Sequence, residues 1–376
     1  MELSAEDALR LNVLLANEPQ AVRIDESSMA LYGYTSTGES KVKLNPNCRD
    51  EMYIRRIREM LSSHVLGSPG GYPIYLRRWT RMGQARDDSL EKLLLLGEPE
   101  AVVAVVHASG LTDELAKRAW WAMPTADNAR KMLTRECVTR GAMGPVLAQY
   151  LIEYLPFEEA PHAMIESVRL ILQPGLIDAE TRARIWNKAR SKITYFVGFL
   201  LAIPDDLPEP VAAHPSWPTL ANDIQRLAEQ GNCYAKLLGR VLDVPGQSFL
   251  ATAEIVLRKP NNQDVMVALM EAMQTYFQDV AAPGTGLQSM DEIAAQVQVR
   301  CECAVDGDAQ LAELFERIPD SQRLLRAVLI LSAVGERLVA PVFARSDAIG
   351  TVMRRKLEPI TTPLLAELDV LRGAGR

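Results

Sequence analysis

Proline and glycine interrupt this chain at helix-length intervals. Between residues 88 and 203 the breaks fall at Gly97-Glu98-Pro99, Ser109-Gly110, Pro124, Gly141, Pro156 and Pro174-Gly175, and Pro204 closes the run. Proline suits the first turn of a helix, where its missing N–H has no intrahelical partner anyway. The starts at Pro99, Pro124 and Pro156 recur after 25 and 32 residues, each followed by a helix, a turn and a second helix. That spacing predicts a helical array of helix-pair repeats whose neighbours bury one another's faces, although only the break positions are shared. Ala101-Val102-Val103-Ala104-Val105-Val106 suits a buried strand or a helix; Pro99 and the flanking segments favour helix.

The N-terminal stretch reads differently. Residues 4–17 predict a helix capped by Ser4, with Asp7 in its first turn, an apolar side of Leu9, Leu11, Val13 and Leu14, and Pro19 as its stop. Residues 21–44 hold three short, partly alternating runs. The clusters Asp25-Glu26-Ser27-Ser28 and Ser36-Thr37-Gly38 separate them, as in a small antiparallel β meander. Such a sheet needs a neighbouring helix to bury its face. Residues 49–65 return to the helical period, with Tyr53, Ile54, Ile57, Met60 and Leu61 on one stripe. A short helical stretch from Ile74 to Gln84 follows the loop Gly67-Ser68-Pro69-Gly70-Gly71. Five prolines within 204–218 predict a linker, and further helices follow near 218–243, 246–258, 262–280, 289–304, 308–318, 320–336, 340–356 and 360–372. The fold class is therefore mainly α. The expected domains are a helix plus β meander over 1–46, a helical array over 47–207 and a C-terminal helical domain over 208–376.

Composition narrows the setting. A 376-residue chain with 48% hydrophobic and 24% charged residues suits globular domains. The longest uncharged apolar run, Ile193–Ile203, is half of what a membrane span needs. The first residues lack the basic and apolar regions of a signal peptide, and five scattered cysteines suit a reducing compartment. A cytoplasmic protein with no membrane partner is expected.

Charge is the main functional hint. Residues 41–86 carry ten Lys/Arg against three Asp/Glu, a local +7 that leaves −14 for the rest of a chain totalling −7. The cations are Lys41, Lys43, Arg49, Arg55, Arg56, Arg58, Arg77, Arg78, Arg81 and Arg86, interleaved with Tyr53, Tyr72, Tyr75 and Trp79. Three readings suit this pattern: a solvated face with Glu51–Arg55 and Arg55–Glu59 pairs, a dock for an acidic protein face, and a surface for single-stranded RNA or DNA. The candidate binding residues are Arg55, Arg56, Arg58, Tyr72, Arg77, Arg78, Trp79 and Arg81.

Other motifs are weaker. The Gly67–Gly71 loop follows a helix and lacks the lysine of a phosphate loop, so it reads as a turn. Cys301 and Cys303 lie two apart in a helical stretch and diverge, so they do not form a metal pair, and the four histidines share no ligand spacing. No metal and no cofactor are expected. Cys48, beside Arg49 at a helix start, is the candidate reactive thiol. Trp120 and Trp121 face different sides of a helix, one expected in the core and the other over a packing seam.

Three stretches resemble the DsrS family, soluble cytoplasmic proteins encoded with the dissimilatory sulfite reductase genes of sulfur-oxidising bacteria. They are Leu11-Asn12-Val13-Leu14-Leu15-Ala16-Asn17 with Val22-Arg23-Ile24-Asp25-Glu26-Ser27; His64 to Pro73 with Leu76 to Gln84; and Leu94 to Pro99 with Arg118-Ala119-Trp120-Trp121-Ala122. The likeness is strongest over residues 8–205 and carries no active-site motif. It implies a setting, the oxidation of stored sulfur through reverse sulfite reductase, with an accessory or regulatory role and a partner from that system. The leading expectation is thus a non-enzymatic protein that binds a protein partner through its basic segment. An RNA-binding post-transcriptional regulator and a Cys48-dependent sulfur carrier or enzyme are the alternatives.

Overall fold

The computed structural model describes residues 3–67, 87–282, 289–303, 307–345 and 349–373. Helix dominates: twenty α-helices occur among the described residues, with one small antiparallel sheet near the N-terminus. The chain divides into two compact units, residues 1–156 and 157–376.

The first unit opens with α1 (Ala5–Ala16), started by the Ser4 cap as expected. The meander follows as β1 (Ala21–Asp25), β2 (Ala30–Thr35) and β3 (Gly38–Lys43), in the order β1-β2-β3. At the first turn Asp25 accepts the N–H groups of Ser27 and Ser28, and these bonds with the two hydroxyls hold its carboxyl well below the usual range. Next comes α2 (Asp50–Leu66). One face of the sheet, with Val22 and Leu31, packs against Leu11, Leu14 and Leu15 of α1 and against Tyr53, Ile54, Ile57 and Leu61 of α2. This is the core that the two periodicities called for. The outer edge of β1 is covered, because the Val22 N–H donates to the Leu94 carbonyl at 2.8 Å.

Helices α3 (Asp87–Leu93), α4 (Pro99–His107), α5 (Asp113–Ala122), α6 (Ala126–Leu133), α7 (Glu136–Thr139) and α8 (Met143–Tyr154) complete this unit. The apolar run Ala101–Val106 is helical, inside α4, with Pro99 at its start. Gly97 has φ 64°, and a Cβ there would meet the Ile24 side chain at 2.9 Å, so this sharp entry to α4 requires glycine. The third expected helix pair, which begins at Pro156, falls in the second unit.

The second unit comprises α9 (Pro161–Ile171), α10 (Ala179–Ala189), α11 (Thr194–Ala202), α12 (Trp217–Glu229), α13 (Cys233–Leu242), α14 (Val244–Arg258), α15 (Gln263–Phe277), α16 (Met290–Glu302), α17 (Ala309–Arg317), α18 (Gln322–Ser332), α19 (Glu336–Phe343) and α20 (Gly350–Leu371). The proline-rich stretch lies within this unit, not between units. Prolines deny it a helix, yet it is strapped down: Val211 N–H donates to Ser248 Oγ at 2.9 Å and His214 N–H to the Leu242 carbonyl at 2.8 Å. Asp205, Asp206 and Glu209 pair with Arg240, Arg182 and Arg190. The expected single helix over 218–243 is two, broken at Gly231 and restarted by the Asn232 cap. The expected break between 356 and 360 is absent. Pro359 and Pro363 sit inside α20, spaced so that Pro363 lacks the very N–H that would bond the Pro359 carbonyl. Buried Met353, Leu357, Ile360, Leu364 and Leu368 hold that helix together across both.

Candidate functional site

The fold splits the described part of the basic segment. Successive β3 residues alternate between faces, so Lys41 and Lys43 project with Arg23 and Tyr32 from the face opposite the α1–α2 core. Of the α2 arginines, Arg55 lies on the side away from the buried stripe, while Arg56 and Arg58 are half-buried at its flanks. Lys41, Lys43 and Arg55 are exposed, while Arg56 is half-buried.

The three α2 arginines are not equivalent. Arg55 is 81% exposed and holds Glu59 at 3.1 Å, a helix-surface pair that leaves its charge open to solvent. Arg56 keeps one buried guanidinium nitrogen without a hydrogen-bond partner among the described residues. Arg58 is committed to the fold. It reaches Glu26 at 2.7 Å and Glu98 at 3.3 Å, tying α2 to the β1–β2 turn and to the start of α4. Burial pushes the Glu98 carboxyl up to about 7 against the pull of Arg58, with Glu100 and Glu26 adding to the rise. Arg58 is therefore a structural cation more than a docking one.

Tyr53 is fully buried. Its hydroxyl donates to the Asp7 carboxylate, and burial followed by that bond raises its pKa. It offers no ring to a base or a partner. Tyr72, Arg77, Arg78, Trp79 and Arg81, together with Tyr75 and Arg86, lie outside the described residues. Cys48 is half-buried against the α1–sheet–α2 core, one residue before the Arg49 helix cap.

Two features were not expected. The first is an aromatic–cation cluster on the outer sheet face: the Trp121 ring of α5 lies 5.3 Å from that of Tyr34, tilted by 33°, and Arg23 sits 4.7 Å from the Tyr32 ring and 5.0 Å from Trp121. Lys41 follows at 5.2 Å from Tyr32. Glu39 closes the group, taking the Trp121 indole N–H at 2.9 Å and lying 3.4 Å from Arg23. Trp121 thus covers a packing seam, as one tryptophan was expected to do. Trp120 is also half-exposed and meets Tyr150 edge-on, so neither fills the core.

The second is a groove of about 900 Å³ between α1 and β3, lined by Leu9, Val13, Arg10, Val42, Lys41 and Lys43 among others. Leu9 is 65% and Val13 56% exposed. This corrects the expected apolar side of Leu9, Leu11, Val13 and Leu14: positions 9 and 13 share one side of the helix and stay exposed, while 11, 14 and 15 share the opposite side and are buried.

Among the described residues no group of three or more His, Cys, Asp or Glu is placed to hold a metal ion, and no helix is long and apolar enough to cross a membrane. Comparison with protein-family models, with curated proteins and with solved structures gives no match.

Proposed function

We propose that this chain is a non-enzymatic accessory or regulatory protein that binds a protein partner through the basic side of its N-terminal unit. The carrying observation is the exposed pair Lys41 and Lys43 bordering a groove with two exposed apolar residues, Leu9 and Val13. Cations beside open apolar area suit an acidic protein segment, where charge steers and apolar contact holds. The likeness to DsrS proteins supports dissimilatory sulfur oxidation as the setting and a sulfite reductase component as the partner.

The same geometry gives less support to RNA. The rings on the outer face, Tyr34 and Trp121, pack against each other at a tilt, and the Glu39 carboxylate stands beside them, where a phosphate would be repelled. Nor does the Cys48 thiol stand open, being half-buried against the core.

The test is capture of the tagged full-length chain from native lysate, with bound protein and bound RNA identified together. Three charge-reversed variants accompany it: Lys41→Glu/Lys43→Glu, Arg55→Glu/Arg56→Glu and Arg77→Glu/Arg78→Glu. Sulfite reductase components lost from at least one variant at an unchanged melting temperature support the reading. Enriched transcripts without protein, or equal capture by every variant, overturn it.

A further inference from the structure

The β3 edge carries more information than its charge. Leu44 N–H donates to the Met29 carbonyl at 2.9 Å, which makes Leu44–Met29 a hydrogen-bonded pair of the β2–β3 ladder. Antiparallel pairs alternate, so Val42, Ser40 and Gly38 also turn their backbone groups toward β2. The N–H and C=O of Glu39, Lys41 and Lys43 therefore point outward, away from the sheet. The other edge agrees with this assignment, since Gly33 faces Ser40 and its partner Val22 is free to bond Leu94. At the next outward position, Asn45, the N–H is taken by Asp7 at 2.7 Å. The open ladder thus spans Glu39 to Lys43, and no described strand pairs with it.

We propose that this edge takes up an extended acidic segment of the protein partner as an added fourth strand. The inference rests on the partner-binding reading above and specifies its chemistry. A residue opposite Lys41 or Lys43 shares their face, which calls for a carboxylate there. The residues between point to the other face, toward the groove with Leu9 and Val13, which calls for apolar side chains. The recognised pattern is acidic–apolar–acidic–apolar, with a residue other than an acid opposite Glu39. Main-chain bonds supply affinity and the alternating side chains supply selectivity. A second copy fits poorly. With the whole of Glu39–Lys43 paired two-fold, Lys41 faces Lys41, and the shifted register that sets Lys41 opposite Glu39 carries Lys43 past the ladder to Thr37 in the turn. Lysines do protect edge strands from aggregation, but exposed Leu9 and Val13 beside the edge work against protection and in favour of use.

The probe is a fluorescently labelled peptide containing Glu-Val-Glu-Val-Thr, titrated against the full-length chain. In antiparallel pairing its glutamate N–H groups face β3 and its valine N–H groups face solvent. N-methylation of the second glutamate should weaken binding by about tenfold or more, whereas N-methylation of the following valine should leave it within about twofold. Lys41→Glu/Lys43→Glu should also weaken it by about tenfold. Equal effects of the two methylations, equal binding of a scrambled peptide, or self-association through β3 would overturn the added strand. Partner capture that still depends on Lys41 and Lys43 would then leave the basic dock standing. Capture indifferent to every charge reversal, with the peptide pattern intact, would instead retire the dock's biological role and keep the edge chemistry.

Discussion

Asp7 accepts the Asn45 backbone N–H at 2.7 Å and so ends the outward ladder of β3 immediately beyond Lys43. The same carboxylate, fully buried, takes the Tyr53 hydroxyl and the Asn45 side-chain amide. One side chain in the first turn of α1 thereby fixes the position of α1 against α2 and sets the length of the open edge.

Removing it should be costly. Asp7→Ala leaves the Asn45 N–H without its acceptor and the Tyr53 hydroxyl with only the Ser4 hydroxyl at 3.4 Å, and should lower unfolding stability by about 2–4 kcal/mol in denaturant titration. Loss within about 0.5 kcal/mol would show that water replaces the carboxylate, and that α1 is positioned by its apolar contacts alone.

The two neighbouring arginines of α2 should separate cleanly. Arg55→Ala should change stability by no more than about 0.5 kcal/mol, since its pair is solvent-exposed. Arg58→Ala should cost about 1–3 kcal/mol, because Glu98 then keeps its buried position without its cation. Thermal or denaturant unfolding of the two variants side by side checks the contrast.

Glu98 should make stability depend on pH. Its carboxyl is raised from 4.5 to about 7 on folding, so between those values the folded chain binds a proton that the unfolded chain has released. Stability is therefore greatest below the unfolded value and falls as pH rises toward about 7, by about 1–3 kcal/mol, then levels off for this group. Glu98→Gln should remove that slope. A variant with the wild-type profile would assign the slope to another group.

Trp121 should hold the outer sheet face. Trp121→Ala removes the Tyr34 contact and the bond to Glu39, and should cost about 1–3 kcal/mol while leaving Tyr32, Arg23 and Lys41 more exposed. Quenching of tryptophan emission by acrylamide, compared with a Trp120→Phe variant, reports the same seam without unfolding the chain.

Much of this architecture was legible in the residues. Alternation over 21–44 gave the meander, and the Tyr53, Ile54, Ile57, Leu61 spacing gave the buried side of α2, because burial of one face imposes its period on the sequence. The proline stretch misled for a physical reason. Proline density reports the absence of helix, and a strap held by Ser248, Leu242 and three arginines lacks helix as fully as a linker does. Likewise the expected break between 356 and 360 is bridged, because the buried stripe that carries α20 across Pro359 and Pro363 depends on neighbours distant in sequence. The groove between α1 and β3 was half legible. Leu9 and Val13 share a side of α1, but only the tertiary packing decides that this side stays open. The free ladder of β3 needs the register of all three strands, which no local pattern encodes.

The most direct test of the basic dock is amide-resolved hydrogen exchange on the full-length chain, with and without the acidic–apolar peptide. The account predicts slowed exchange at Glu39, Lys41 and Lys43, with Ser40 and Val42 unchanged because their N–H groups already bond β2. Protection spread evenly over β3, confined to residues 157–376, or absent at saturating peptide would contradict it.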